Sequence, residues 1–497
     1  MKSLILNKKL SCLCLATLII SQSMSVTAHT PIHFNHQHIQ AIPSVVDISG
    51  GVSILELNQE RLIGEKVYRQ IHRQMPLLEN VWLEDQMMSI FSHILSQSQL
   101  GEPIALLLIN DPQINAFAVP GGLFAINTGL IHSAKNMGDI AGVMAHEVAH
   151  VSQRHYSRSK EAFKGQRLLA LAGILVGAAV ASQDAEAGTA VMMGTQSVLL
   201  DKQLSYSRDQ EREADRIGMQ YLYSAGYDPH HMANFFETMQ RKSPQIGYLP
   251  EFWLTHPLTS ERISEARLRA NQFPQLRHKI QYQDEHFQLI QYYTAVLTKK
   301  ISEIQLKELS NQNNHSARLA LIAYYLQKNE WQKADDIRKN ISKEYQQHPL
   351  YHLLTADLLI AQKQYVQAER LMRTQWLIMP ENRALAYKLA QILILQQRGM
   401  EAQQIVQPFS KKNPRDVFAW QLLQQAVEYH SQLEQSIKTV QALHYRAEQE
   451  FWTGKEEQGI KSLLHAQRLL QDINNQSLKT KIEQRLKQMQ DEYKLKI

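Results

Sequence analysis

Residues 139–155 read DIAGVMAHEVAHVSQRH, and this stretch decides what the surrounding chain is built to hold. In a helix, residues four apart lie about 40° apart around the axis, so His146 and His150 project from one face. Glu147 lies beside them. This spacing is typical of a zinc peptidase, in which the histidines bind Zn²⁺ and the glutamate takes a proton from the attacking water. Apolar residues recur at helical spacing, and Asp139 is placed to cap the helix start.

Composition and the chain start restrict the class of protein. The 497 residues are 44% hydrophobic and 20% charged, which suits two or three domains with ordinary cores. Residues 1–28 carry lysines before an apolar run and end in Val26-Thr27-Ala28, so they are predicted to be a cleaved signal peptide. Both cysteines lie inside it, and no disulfide is expected. Removal of this segment takes away three lysines and lowers the net charge from +6 to +3, which is slight and dispersed, so no nucleic acid partner is expected.

Residues 29–55 form a His-containing N-terminal segment that begins HTPIHFNHQH. Such a segment can bind zinc or copper loosely and deliver metal to the site downstream. The pattern favours the alternative, a solvated and mobile terminus.

The pattern between residue 57 and the HEVAH stretch changes from helical to extended. Residues 57–97 are predicted to form two helices separated near Pro76, and residues 104–109 predict a buried strand. Short β-type runs flank Pro120-Gly121-Gly122, which predicts a hairpin. An extended substrate can bind to an edge strand through main-chain hydrogen bonds. The candidate substrate-binding edge consists of Asn115, Ala116, Phe117 and Ala118. The alternative is a sheet that only carries the helix.

Two features follow the HEVAH stretch. His155 lies five residues after His150, about 140° round a continuing helix, and is predicted to be a surface histidine near the helix end. Residues 168–200 contain an apolar run too short to cross a membrane. They are either a buried core helix or a helical hairpin whose apolar face meets a membrane or a client protein.

A catalytic zinc needs a third protein ligand, and the charged stretch SRDQEREAD at residues 207–215 is the candidate region. Glu211 and Asp215 are four apart and share a helix face, so that one can bind metal while the other accepts a ligand imidazole N–H. Glu213 points about 160° away from Glu211. Periodicity alone also fits an exposed, salt-bridged helix.

The motifs together resemble the M48 family of zinc metalloendopeptidases. HEVAH, SRDQEREAD and NAFAVPGG carry the resemblance, which covers roughly residues 56–275. It implies one Zn²⁺ per chain, bound by His146, His150 and Glu211, with Glu147 as catalytic base and Asp215 as partner of a ligand histidine. His-Pro-x-x-x-x-Arg at residues 256–262 is also part of the resemblance. His256 is a candidate fourth zinc ligand or latency switch, an oxyanion stabiliser, or a turn histidine that only packs its loop.

The C-terminal half is strongly helical and contains an internal repeat. Pairs of alanines twelve apart recur every 34 residues, at Ala356 and Ala368 and again at Ala390 and Ala402. A period of 34 with small residues where helices cross is the tetratricopeptide (TPR) pattern. Four to five helix pairs are predicted between residues 316 and 475, followed by a polar capping helix.

The predicted fold is mostly α: a zincin-type α+β metallopeptidase domain with a small sheet at 56–280, then an all-α TPR solenoid at 281–497. The resemblance extends to TPR-bearing periplasmic members of the family. It implies that the clients are unfolded or stalled outer-membrane proteins and that the TPR face contacts the outer-membrane barrel assembly machinery, with possible peripheral membrane contact through 168–200. The alternative is a non-proteolytic TPR chaperone or scaffold with a latent or structural zinc site.

Overall fold

The computed structural model describes residues 54–158, 207–246, 256–276, 284–312 and 314–494, all of which belong to one compact unit. The predicted signal peptide, most of the His-containing segment and the apolar run 168–200 lie outside these residues. Within the described ranges the chain is mostly helical with one small sheet, so the predicted fold class is confirmed. None of the helices there is both long and apolar enough to span a bilayer.

Two helices lead into a three-stranded sheet. Helices α1 (Ile54–Gln74) and α2 (Val81–Leu95) are separate, as predicted from Pro76. The strands are β1 (Ala105–Ile109), β2 (Ala116–Val119) and β3 (Leu123–Asn127). Their order is β1-β3-β2, with β1 parallel to β3 and β2 antiparallel to it. Strands β2 and β3 therefore form the predicted hairpin, and β2 is an edge strand.

The HEVAH stretch forms the central helix of the peptidase part. After the short α3 (Thr128–Ser133), helix α4 (Met137–Ser152) runs through the core and is buried on every side from Met137 to His150. Its N-cap is Asn136, whose side-chain oxygen accepts the Asp139 N–H at 3.0 Å. The expectation that Asp139 caps the helix is therefore wrong, because α4 begins one turn earlier and Asp139 lies within its first turn.

Four further helices follow α4 in the described residues of this part of the chain. They are α5 (His155–Arg158), α6 (Arg208–Ser224), α7 (His230–Ile246) and α8 (Ser260–Ala270). Helix α6 begins with a capping box in which the Ser207 side chain accepts the Gln210 N–H and Gln210 returns a bond to the Ser207 N–H. Acidic residues in the first turn of α6 also interact favourably with the helix dipole. The cap and the dipole thus fix the start of α6 beside α4.

The C-terminal part consists of six consecutive helix pairs within the described residues. They are α9 (Asp284–Leu297) with α10 (Glu303–Asn311), α11 (His315–Gln327) with α12 (Trp331–Lys339), α13 (Pro349–Ala361) with α14 (Tyr365–Ile378), α15 (Arg383–Leu395) with α16 (Gly399–Lys412), α17 (Val417–Glu428) with α18 (Gln435–Trp452), and α19 (Glu456–Leu469) with α20 (Gln476–Lys494). Between residues 316 and 475 the helices agree with the predicted four to five pairs, and α20 follows them where the capping helix was expected. The pair from 284 to 311 lies outside that predicted range, because it lacks the alanine signature.

The repeat alanines are fully buried where helices cross, as predicted: Ala356, Ala368, Ala390 and Ala402.

Ion pairs fasten the solenoid to α1 and α2. Arg69 of α1 contacts Glu456 at 3.2 Å and Glu492 at 3.3 Å, and its guanidinium lies 4.6 Å from the centre of the Phe451 ring. The other clasps are Arg383 with Glu84 and Asp85, and Arg415 with Glu65. The helices that precede the sheet are therefore held from both sides, by the peptidase core and by the solenoid.

Candidate metal centre

Four buried side chains from three segments converge beside the middle of α4. His146 and His150 come from α4, Glu211 from the first turn of α6, and His256 from the segment just before α8; each is at most 2% exposed. One donor atom from each residue lies within 4.8 Å of all the others. Among the described residues, this is the only group of three or more His, Cys, Asp or Glu side chains that could hold a metal ion.

The spacing of these donor atoms fits a metal ion. Nε2 of His146 is 3.0 Å from Nε2 of His150 and 3.3 Å from Nδ1 of His256. Oε1 of Glu211 is 3.0 Å from His256 Nδ1 and 3.4 Å from His150 Nε2. Donors at about 2.0–2.1 Å from a tetrahedral ion are about 3.3 Å apart. Three imidazoles and a carboxylate in this arrangement form a donor set that could hold a metal ion.

Arg262 contacts one of the two carboxylate oxygens of Glu211. Its Nη1 lies 2.6 Å from Oε2 of Glu211, an oxygen that is also 3.4 Å from His146 Nε2, while Oε1 faces His150 and His256. Burial alone would raise the pKa of Glu211, but its neighbours His256 and Arg262 hold that pKa well below its ordinary value. Glu211 is therefore an anion, as a metal ligand must be.

Asp215 lies behind His146. Its Oδ1 is 3.0 Å from His146 Nδ1, and both carboxylate oxygens accept hydrogen bonds from Arg262, at 2.6 and 2.9 Å. Burial opposes ionisation, but Arg262 and His146 lower the pKa of Asp215 to about 2. A carboxylate in this position orients the ring of a metal-binding histidine and makes it a stronger ligand.

Glu147 is also buried within this group. Its Oε1 lies 3.5 Å from His256 Nε2, on the side of α4 that carries the two histidines. Desolvation raises the pKa of Glu147, although the nearby histidines partly oppose the shift. A carboxylate with a raised pKa is a stronger base than an exposed glutamate.

His155 is not a surface residue, and that prediction is wrong. It is 0% exposed, its Nδ1 lies 3.0 Å from His150 Nδ1, and its Nε2 lies 3.0 Å from Oε2 of Glu213. His155 does not continue the angular spacing of α4, because α4 ends at Ser152 and Arg154 adopts a left-handed conformation with φ of 52°. Glu213, two residues after Glu211, has its carboxylate facing His155.

The predicted substrate-binding edge lies at one side of the sheet. Ala116 to Ala118 lie in edge strand β2, Asn115 immediately precedes it, and β2 packs against α4. Their role in binding substrate stays a prediction. Arg262 belongs to the His-Pro-x-x-x-x-Arg motif, but the motif does not predict its role, because its contacts with Glu211 and Asp215 join segments 47 to 51 residues apart.

Comparison with known protein families agrees with this geometry. Residues 78–270 match peptidase family M48, and residues 359–427 match a tetratricopeptide repeat family. The beta-barrel assembly-enhancing protease of Escherichia coli is 30% identical over 453 residues, which cover 89% of this chain and 91% of the relative. The putative beta-barrel assembly-enhancing protease of Vibrio cholerae is 28% identical over 84% of this chain and 85% of the relative.

A more distant relative matches only part of the chain. The mitochondrial metalloendopeptidase OMA1 of Schizosaccharomyces pombe is 34% identical over 158 residues, 32% of this chain and 44% of the relative. Together with the buried donor set on α4 and α6, these likenesses identify a metal-dependent enzyme. The chain belongs to peptidase family M48, as a metalloendopeptidase whose catalytic part is followed by tetratricopeptide repeats.

Proposed function

We propose that the chain is a periplasmic zinc metalloendopeptidase that acts on outer-membrane β-barrel proteins, assisting their assembly and degrading misassembled forms. The observation that carries the proposal is the donor set with Glu147 beside it. A purely structural metal site needs no base next to its ligands. The full-length similarity to proteins named beta-barrel assembly-enhancing protease supports the choice of client.

In this proposal His146, His150 and Glu211 hold one Zn²⁺ per chain. A zinc ion bound there supplies Lewis-acid chemistry, polarising a water molecule and the scissile carbonyl. A carboxylate oxygen of Glu147 takes the proton of the attacking water and then delivers it to the leaving amine nitrogen. Asp215 orients His146 through its Nδ1.

His256 holds the enzyme latent in this proposal. A catalytic zinc site keeps one position open for water or substrate. The 3.0–3.3 Å separations between His256 Nδ1 and the donors of Glu211 and His146 support a role as fourth ligand. Movement of the segment that carries His256 would then open the site, with Asn115 to Ala118 as the edge that receives the extended substrate.

The solenoid is the proposed binding surface for clients and for the barrel assembly machinery. Several large apolar side chains on its helices are exposed, which supports contact with polypeptide. They are Trp331, Val366, Leu377, Ile378 and Leu395. The proposed domain bounds are a signal peptide at 1–28, a segment at 29–55, the peptidase domain at 56–280 and the solenoid at 281–497. Membrane contact through 168–200 is part of the proposal.

The test compares Glu147→Gln with Asp209→Asn, which removes an exposed acid of α6, both in wild type and in a His256→Ala background. The second background prevents latency from masking cleavage. We expect Glu147→Gln to retain one zinc per chain and to cleave an unfolded outer-membrane barrel protein about 10²- to 10⁴-fold more slowly, whereas Asp209→Asn cleaves normally. Cleavage by Glu147→Gln at the undiminished rate would refute the mechanism.

The alternative is a TPR chaperone with a permanently closed zinc site. It is favoured by the same proximity of His256 to the donor set. If neither background cleaves any client, and Glu147→Gln and wild type support barrel assembly equally in cells, the chaperone function replaces the peptidase.

A further inference from the structure

The two histidines of α4 meet different partners on the side that faces away from the donor set. His146 Nδ1 meets the carboxylate of Asp215 directly, at 3.0 Å. His150 Nδ1 meets another imidazole, that of His155, at 3.0 Å. His155 in turn meets Oε2 of Glu213 through its Nε2, also at 3.0 Å. Asp215 therefore contacts His146 directly, whereas the imidazole of His155 lies between His150 and the carboxylate of Glu213.

Local backbone geometry places His155 in this position. Arg154 has a left-handed conformation, which is uncommon for a residue with a side chain and costs about 1 kcal/mol or more. The turn reverses the chain after α4 so that His155, the first residue of α5, returns against His150. The Arg154 guanidinium contacts Glu60 of α1 at 2.5 Å, and the Gln210 side chain donates to the His155 carbonyl at 2.9 Å. Contacts from α1 and α6 thus hold the turn.

Metal binding by His150 determines which ring nitrogen carries the proton in His150 and in His155. If Nε2 of His150 faces the metal with its lone pair, the proton of the ring lies on Nδ1. That N–H donates to Nδ1 of His155, which must then be the unprotonated nitrogen. The Nε2–H of His155 donates to Glu213, and Glu213 also accepts from Arg158 at 3.1 Å. One tautomer of each ring satisfies all of these contacts.

We propose that His155 and Glu213 are positioning residues that fix the ring and tautomer of His150, so that this ligand stays on the metal. The inference rests on the proposed zinc site. It assigns to a neutral imidazole the part that Asp215 plays for His146. A residue that merely filled space at this position would affect folding without changing how the metal is held.

The experiment measures release of zinc to an excess of chelator, using the full chain loaded with one zinc. We expect His155→Phe, which keeps an aromatic side chain but lacks both imidazole nitrogens, to release zinc about ten- to a hundredfold faster than wild type. His155→Gln can accept from His150 and donate to Glu213, so it should restore most of the wild-type rate. Glu213→Gln keeps an acceptor without its charge and should be intermediate.

Two further measurements separate positioning from a structural role. The visible absorption of the cobalt-substituted protein should change in His155→Phe, because the coordination of His150 changes. Thermal unfolding of the metal-free protein should be the same for wild type and Glu213→Gln. Asp209→Asn is the matched control, since it turns an exposed acid of the same helix α6 into an amide without changing His150, His155 or Glu213, and it should release zinc at the wild-type rate.

The outcomes are distinguishable. Wild type that retains no zinc after dialysis contradicts the proposed metal site itself. Wild type that retains zinc, with His155→Phe and Glu213→Gln both releasing it at the rate of Asp209→Asn and with unchanged cobalt spectra, overturns the positioning role alone. If His155→Phe does not fold, the comparison of Glu213→Gln with Asp209→Asn still decides.

Discussion

Gly218 lies where α6 crosses α4, and replacing it tests whether the fit of these two helices determines metal binding. A Cβ at this position would lie 3.0 Å from the Ala145 carbonyl oxygen and 3.1 Å from the His146 Cα. Carbon atoms in favourable contact are about 3.5–4.0 Å apart, so in Gly218→Ala helix α6 must retreat by roughly half an ångström. Because Glu211 belongs to α6, it moves away from His146 with the helix.

Two opposing effects set the expected stability of Gly218→Ala. Overpacking costs about 1–3 kcal/mol, and replacing a helical glycine by alanine returns about 1 kcal/mol. The free energy of unfolding should therefore fall by only about 0–2 kcal/mol. The metal is more sensitive, since ligand distances in such sites hold to within about 0.2 Å. We expect zinc affinity to fall by about tenfold or more.

Gly142→Ala is the matched control. A Cβ there would lie 3.0 Å from the Met232 Cα and 3.1 Å from its nitrogen, so the variant displaces α7, which carries no proposed ligand. Zinc dissociation constants from chelator competition, together with thermal unfolding of the metal-free proteins, compare the two variants. The reasoning is refuted if both lose the same affinity, or if Gly218→Ala binds zinc as tightly as wild type.

Three further predictions concern single side chains. His256→Ala should raise peptidase activity and keep zinc on the remaining three ligands; an unchanged rate would argue against latency. Arg262→Gln leaves two buried carboxylates without their guanidinium and should lower the free energy of unfolding by about 3–5 kcal/mol, measured by denaturant titration, with a change below about 1 kcal/mol contradicting it. Burial raises the pKa of Glu84 to about 7, above its ordinary 4.5, although its ion pair with Arg383 opposes the shift. The folded state therefore holds a proton that the unfolded state releases, and stability should fall from pH 4.5 to 7 by up to about 1.4 kcal/mol per pH unit from this group. Glu84→Gln should remove that slope, and an unaltered slope would show that Glu84 is not the titrating group.

Local patterns were sufficient for much of the fold. The break at Pro76, the strand before residue 110 and the hairpin around Gly121 follow from turn residues and from the period of the apolar positions. The repeat was visible because crossing helices tolerate only small residues, which recur at a fixed spacing. Ala356 and Ala368 are buried for this reason. The pair at 284–311 escaped detection since it packs with larger side chains.

The sequence was insufficient where the chain departs from regular geometry or where distant charges meet. The predicted angular position of His155 around the helix axis holds only if α4 continues beyond Ser152. Nothing in the composition of residues 151–155 signals the left-handed conformation of Arg154. The contacts of Arg262 with Glu211 and Asp215 depend on how α8 packs against α6, which no local period encodes. Pairing of His155 with Glu213 likewise appears only in three dimensions.

The clasp between α1 and the last repeat has a consequence for the order of assembly. Arg69 meets Glu456 and Glu492 across sequence separations of 387 and 423 residues. Closing so long a loop is entropically costly and slow compared with local helix pairing. Because α20 is the last of the described helices to be synthesised, Arg69 cannot contact Glu492 until α20 is available. This contact of α1 therefore forms late in synthesis, and a chain truncated before α20 would lack it.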